Sequence, residues 1–192
     1  MASVCMVSYQ CEAKKEQLDE LNAVLNLLKT MKAPVVKNDR GRLWLGCVVN
    51  LLGGDWHDVE CRGEVVDFGY KGGTSLWMEQ ETDWCEQEGF RKFLESRFPG
   101  LKVFYLEIEP GEGWGRTNDS EGKYFPERYY LSSSEGFTFF NSLEEAAVAA
   151  SQILDLDVSP DFDVISSALD AFTDNQDWED DIYYNFYEIE VE

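Results

Sequence analysis

Residues 82–114 read TDWCEQEGFRKFLESRFPGLKVFYLEIEPGEGW, and the order of signals within them decides the fold. Thr82 or Asp83 is placed to cap a helix whose apolar face carries Trp84, Phe90, Phe93 and Leu94. Phe98-Pro99-Gly100 stops that helix, since proline donates no amide and glycine accepts the left-handed conformation common at helix ends. Lys102 to Glu109 then alternates, with Val103 and Tyr105 set against Phe104 and Leu106, as a largely buried strand. The glycine-rich run from Pro110 to Gly115 is a turn.

Upstream, Glu64 to Tyr70 and Thr74 to Glu81 flank Lys71-Gly72-Gly73 and read as a hairpin. LWLGCVVNLLG (43–53) fits a buried strand or a short helix, and helix is favoured because the Gly53-Gly54 pair can end it. From Glu12 to Lys32, Leu18, Leu21, Val24, Leu25, Leu28 and Met31 recur at three- and four-residue intervals, an amphipathic helix stopped by Pro34. Val4 to Tyr9 is a first strand.

Downstream of the opening stretch come a short strand, a turn at Asn118 to Gly122, and strand candidates at Tyr124 to Leu131 and Gly136 to Phe140. Ser142 caps a helix running to Leu154, with Glu144 and Glu145 in its first turn, where the helix dipole favours acids. Ser159-Pro160 opens another helix to Phe172, and YYNFYEIEV (183–191) reads as a strand or an extended arm. Strands and helices in this order predict an α+β fold, with helices on one face of an antiparallel sheet.

The stretch from Thr82 to Trp114, with its tryptophan-led helix, Phe-Pro-Gly, strand and Glu-Pro-Gly, continues into TNDSEGKYFPERYYL (Thr117 to Leu131) with Phe-Pro-x-Arg-Tyr. Together these resemble the YubB-type ferredoxin-like domain of proteins of unknown function carried on phages, plasmids and conjugative elements. The resemblance covers about residues 64–154. It implies a ferredoxin-like sheet and a mobile-element setting, and it assigns no catalytic residue. The domain expectation is therefore residues 1–60 as an N-terminal strand and helix, 61–154 as the ferredoxin-like core, and 155–192 as an acidic, aromatic-rich extension packed on it. The chain lacks the Cys/His cluster found at the N-terminus of parts of that family.

The formal charge of -22 is unevenly spread. Residues 1–128 hold 22 acidic and 16 basic groups, whereas residues 129–192 hold sixteen acidic groups and no Lys, Arg or His. Phe137, Phe139, Phe140, Leu154, Ile165, Leu169 and Phe172 in the same stretch argue for a folded surface, because disordered acidic segments are poor in aromatics. Such a surface is repelled by nucleic acid and anionic membranes and attracted to basic proteins.

The five cysteines, Cys5, Cys11, Cys47, Cys61 and Cys85, have no zinc or redox spacing, and with one histidine in the chain they read as reduced, mostly core thiols. No signal peptide and no run of 18 apolar residues is present, so a cytoplasmic protein without a membrane span is expected.

Several motifs suggest chemistry, and each has a blander reading. Glu107, Glu109 and Glu112 around the Glu-Pro-Gly turn could act as acid and base or hold a divalent metal, against a charged strand end and turn. Asp174 to Asp181, DNQDWEDD, is rich in oxygen but lacks the glycine and glutamate of a calcium loop. His57 in DWHDV has no nucleophile partner and reads as a surface or capping residue. Gly111-x-Gly113-x-Gly115 has no phosphate-binding lysine, and Lys14, Lys15, Lys29, Lys32, Lys37, Arg40 and Arg42 read as a solvated helix face with its following loop.

The remaining candidate is the acidic C-terminal stretch. Asp161, Asp163, Asp170 and Asp174 on the helix, then Asp177, Glu179, Asp180, Asp181, Glu188 and Glu190, would set carboxylates in rows, with Trp178, Tyr183, Tyr184 and Tyr187 as aromatic anchors. The expectation is a non-catalytic protein without cofactor or metal whose acidic surface mimics nucleic acid. It would block the basic groove of a host nuclease or other nucleic-acid-binding effector, in the manner of an anti-restriction or anti-CRISPR inhibitor. Alternatives are a small metal-dependent enzyme using the clustered carboxylates, and a regulatory homo-dimer or larger homo-oligomer.

Overall fold

The computed structural model describes residues 3–70, 72–175 and 182–192, and the chain divides into two compact units, Met1–Gly111 and Glu112–Glu192. The first contains β1 (Val4–Glu12), α1 (Lys15–Thr30), α2 (Leu45–Leu51), a 3-10 turn at Trp56–Asp58, β2 (Gly63–Gly69), β3 (Ser75–Asp83), α3 (Glu88–Arg97) and β4 (Lys102–Glu109). Its strands lie in the order β2-β3-β1-β4 with every neighbour antiparallel.

Strict alternation along β1 sends Cys5, Val7, Tyr9 and Cys11 to one side, where they meet Leu18, Leu21, Leu25 and Leu28 of α1. All four leucines are fully buried, and each contributes about 1.5–3 kcal/mol of transfer free energy. This sheet does not begin at the 64–81 hairpin, as the expected boundaries have it. The central strand is β1, bonded to β3 from Val4↔Asp83 to Glu12↔Ser75 and to β4 from Met6↔Ile108 to Glu12↔Lys102. The compact units accordingly do not follow the expected divisions at 60/61 and 154/155.

The second unit holds β5 (Trp114–Thr117), β6 (Tyr129–Ser133), β7 (Gly136–Phe140), α4 (Leu143–Leu154), α5 (Phe162–Asp174) and β8 (Tyr184–Val191). Its strand order is β5-β8-β6-β7. Residues 155–192 are therefore not an extension laid on a finished core: β8 is an inner strand, parallel to β5 and antiparallel to β6. Leu131, Phe140, Ala146, Ala147, Ala150, Ile165, Leu169 and Phe186 form the core between these strands and the two helices. The α+β class holds in both units, but the chain is not one small ferredoxin-like sheet, since its described strands are divided between two units and include a parallel pair.

Two local expectations are corrected. Neither Thr82 nor Asp83 caps α3, because β3 continues through both, paired on its two sides as Gly63↔Thr82 and Val4↔Asp83. The α3 helix starts at Glu88, and Trp84 stands before it, half-exposed with φ +68° rather than on its apolar face. The strand expected from Tyr124 begins only at Tyr129, because residues 124–128 wrap around a buried carboxylate described below.

Candidate functional site

The second unit contains twenty acidic residues and three basic ones, against eighteen and thirteen in the first. All three cations are engaged within the unit. Arg116 pairs with Glu192 at 3.4 Å and lies over the Trp114 ring. Lys123 lies over the Tyr124 ring, and Arg128 donates to the carbonyls of Phe125, Glu127 and Asp119 at 2.8–3.2 Å. Arg116 is thus spent on the last residue of the chain, and Arg128 on the loop that precedes it.

On α5, Asp163, Asp170 and Asp174 are exposed and spaced seven and four residues apart, so they share one face of the helix. At 1.5 Å per residue the steps between them are about 10 and 6 Å along the axis. Asp161 instead serves the helix itself as its N-cap, where its carboxylate accepts from the Val164 amide at 3.1 Å. Glu188 and Glu190 are exposed two residues apart on one side of β8, about 7 Å from one another. Asp177, Trp178, Glu179, Asp180 and Asp181, and with them most of the DNQDWEDD stretch, lie outside the described residues.

The tyrosines expected as anchors are built into the unit. Tyr184 packs against Phe172, with ring centroids 6.0 Å apart, and its amide donates to Thr173 Oγ1. Tyr187 packs against Tyr130 at 5.0 Å, and a Cβ on Gly113 would come within 2.5 Å of its ring, so that turn needs glycine both for contact and for its φ of +71°. Burial, then the charge of Asp170, raises the Tyr187 phenol above its ordinary value. Tyr183 is half-buried.

Asp119 is a residue that spacing did not single out. It is 1% exposed, and its Oδ2 accepts from the amides of Tyr124 at 2.6 Å and Phe125 at 2.9 Å. Burial works to raise its carboxyl, but these amides, that of Lys123 and the nearby Arg128 outweigh it and hold the group below its ordinary value. With Arg128 binding the carbonyls of the same segment, Phe-Pro-x-Arg-Tyr is the locking half of a loop whose other half is Asp119.

The carboxylates of the first unit form an internal network. Glu107 is fully buried, and its Oε2 accepts from the Glu86 amide at 2.5 Å and faces the Cys5 thiol at 3.7 Å. Glu109, 1% exposed, accepts from the Ser3 hydroxyl. The buried Glu86 takes the Tyr9 hydroxyl and pairs with Arg91 Nε at 3.2 Å. Burial raises the Glu86 carboxyl, while Tyr9 and Arg91 oppose that rise. Glu107 and Glu109 are thus turned inward, not the charged strand end of the bland reading, and Glu112 is exposed in the turn beyond β4. Among the described residues no group of three or more His, Cys, Asp or Glu side chains could hold a metal ion.

The other motifs take structural places. His57 is exposed, with Nδ1 2.6 Å from Asp55, which caps the 3-10 turn, and its ring lies on Trp56. Lys15 pairs with Asp19, Lys29 with Asp67 and Arg40 with Asp83, while Arg42 donates to the Met31 carbonyl, so the cluster spread over 14–42 is largely answered from within. All five cysteines are free, and burial pushes the Cys11 and Cys61 thiols up to about 12, which leaves them as inert protonated core groups.

No family model, curated protein or solved structure matches this chain. Among the described residues no helix is long and apolar enough to cross a membrane.

Proposed function

We propose that the protein is a non-catalytic acidic binding protein that engages a basic surface of a partner through its second unit. The observation that carries this reading is the charge of residues 129–192, sixteen acids without a single cation, placed on a unit with a formed core. Exposed rows such as Asp163-Asp170-Asp174 line negative charge along one helix face, which suits the basic groove of a nuclease or another nucleic-acid-binding effector. The resemblance to the YubB-type family supplies the mobile-element setting, and the β2-β3-β1-β4 order of the first unit, the arrangement of a split β-α-β fold, is its proposed ferredoxin-like part. Inhibition of a host defence enzyme by occupation of its basic groove is the mechanism this reading names.

A metal-dependent enzyme is less well supported, since Glu107 and Glu109 are spent on internal hydrogen bonds. Capture of partners from a bacterial lysate at low salt, followed by elution with rising NaCl and separately with competing DNA or RNA, tests the proposal. A nucleic-acid enzyme that both treatments release is the expected result. Retention that is indifferent to salt overturns it.

A further inference from the structure

A groove of about 600 Å³ runs along the outer side of α4 in the second unit. Val148 of the helix and Pro160 of the segment leading to α5 are its exposed apolar residues, with the buried Ala147 and Val158 beneath them. That segment is drawn back along the helix by the Val158 amide, which donates to Ser151 Oγ at 3.0 Å. Val148 is 60% exposed, an apolar side chain left in water where α4 has turned its alanines, Ala146, Ala147 and Ala150, towards the core.

The polar residues of the groove are as telling as its floor. Glu144 stands at one end, Asp155 and Asp157 at the other, and among the described residues no Lys, Arg or His belongs to it. Glu144 and Asp155 are eleven residues apart on the helix, about 16 Å along its axis. Anionic ligands are repelled from both ends, and a small cation would leave the apolar floor in water. A protein segment with an apolar centre and a Lys or Arg near each end satisfies both parts of the groove.

We infer that the α4 groove docks such a segment of the partner, a short helix with apolar side chains in its middle and basic ones about three turns apart. The apolar side chains cover the exposed Val148 and Pro160, and the basic ones meet Glu144 and the Asp155-Asp157 pair. This rests on the reading of the second unit as an acidic binding surface and gives that surface an anchoring point that charge alone does not supply.

The test uses the full chain and three labelled synthetic peptides of about 12 residues: an alanine-leucine centre with lysines at both ends, the same with serine for leucine, and the same with glutamate for lysine. Fluorescence anisotropy at low salt should show the leucine-lysine peptide binding about tenfold more tightly than the serine version, and the glutamate version not at all. Methyl shifts should move at Ala147, Val148 and Val158. Val148→Lys, at an exposed helix position, should lower affinity about tenfold with folding intact. Asp155→Gly should also weaken binding, and because Asp155 holds a left-handed conformation with φ +50°, glycine there leaves the fold at least as stable.

If the leucine and serine peptides bind equally and Val148→Lys changes nothing, the groove is not the docking site, while the acidic-surface reading stands. If no lysine peptide binds at low salt, the acidic-surface reading falls and takes the groove with it.

Discussion

Replacing Asp119 by alanine strips the Tyr124 and Phe125 amides of their acceptor inside the second unit. Leaving them unpaired costs about 1–3 kcal/mol, to be read as a lower urea midpoint at unchanged slope. The folded state favours the ionised carboxylate, so its contribution is complete above the ordinary value of 3.8 and disappears as pH falls below it. The stability curves of parent and Asp119→Ala should therefore draw together in acid. In the sequence this residue is one more turn-former between Asn118 and Gly122. Its partners lie five and six residues ahead on amides that carry no signature, which is why the turn was legible and the lock was not. Trp84 illustrates the opposite error. Its bulk suggests a helix face, yet its amide donates to the Ser3 carbonyl and its ring lies under Arg62, so the ladder of β3 and its surroundings decide its place.

Arg91 acts at the level of elements, since it ties α3 to the carboxylate of Glu86 while its guanidinium lies over the Tyr105 ring of β4. Arg91→Ala leaves a buried carboxylate without its cation and should cost about 3–5 kcal/mol in chemical unfolding at neutral pH. The Glu86 carboxyl already sits above its ordinary 4.5, and without Arg91 it moves higher, so protonation removes the penalty. The deficit of the variant should accordingly shrink as pH falls towards 4.5. Helices were the legible elements: the leucine spacing of α1, the serine cap of α4 and the Gly53-Gly54 stop of α2 all identify themselves locally. Strands were legible as strands, but their neighbours were not. Nothing within YNFYEIEV says that it lies between β5 and β6, because pairing is a property of two segments and periodicity is a property of one.

At the scale of the molecule, charge divides the chain more sharply than secondary structure does. The twenty acids of the second unit repel one another whether or not a partner is near, so raising NaCl from about 0.02 to about 0.5 M should increase the urea midpoint of that unit. Protection of the β6 and β8 amides from hydrogen exchange would follow this rise. The same salt should weaken partner capture, and opposite signs for the two effects separate binding electrostatics from a general loss of structure. The uneven charge was legible because composition survives without coordinates. The α4 groove was not, since it depends on Val158 and Pro160 folding back beside a helix that looks complete without them. The inner position of β8 also bears on synthesis. Once β6 has been translated, roughly 60 further residues must be added before the strand that closes its free edge exists, a wait of about 3–12 s at about 5–20 residues per second. For that interval the nascent β6–β7 hairpin carries an open edge, with Tyr130, Phe137 and Phe139 beside it, a template for wrong pairing until β8 arrives.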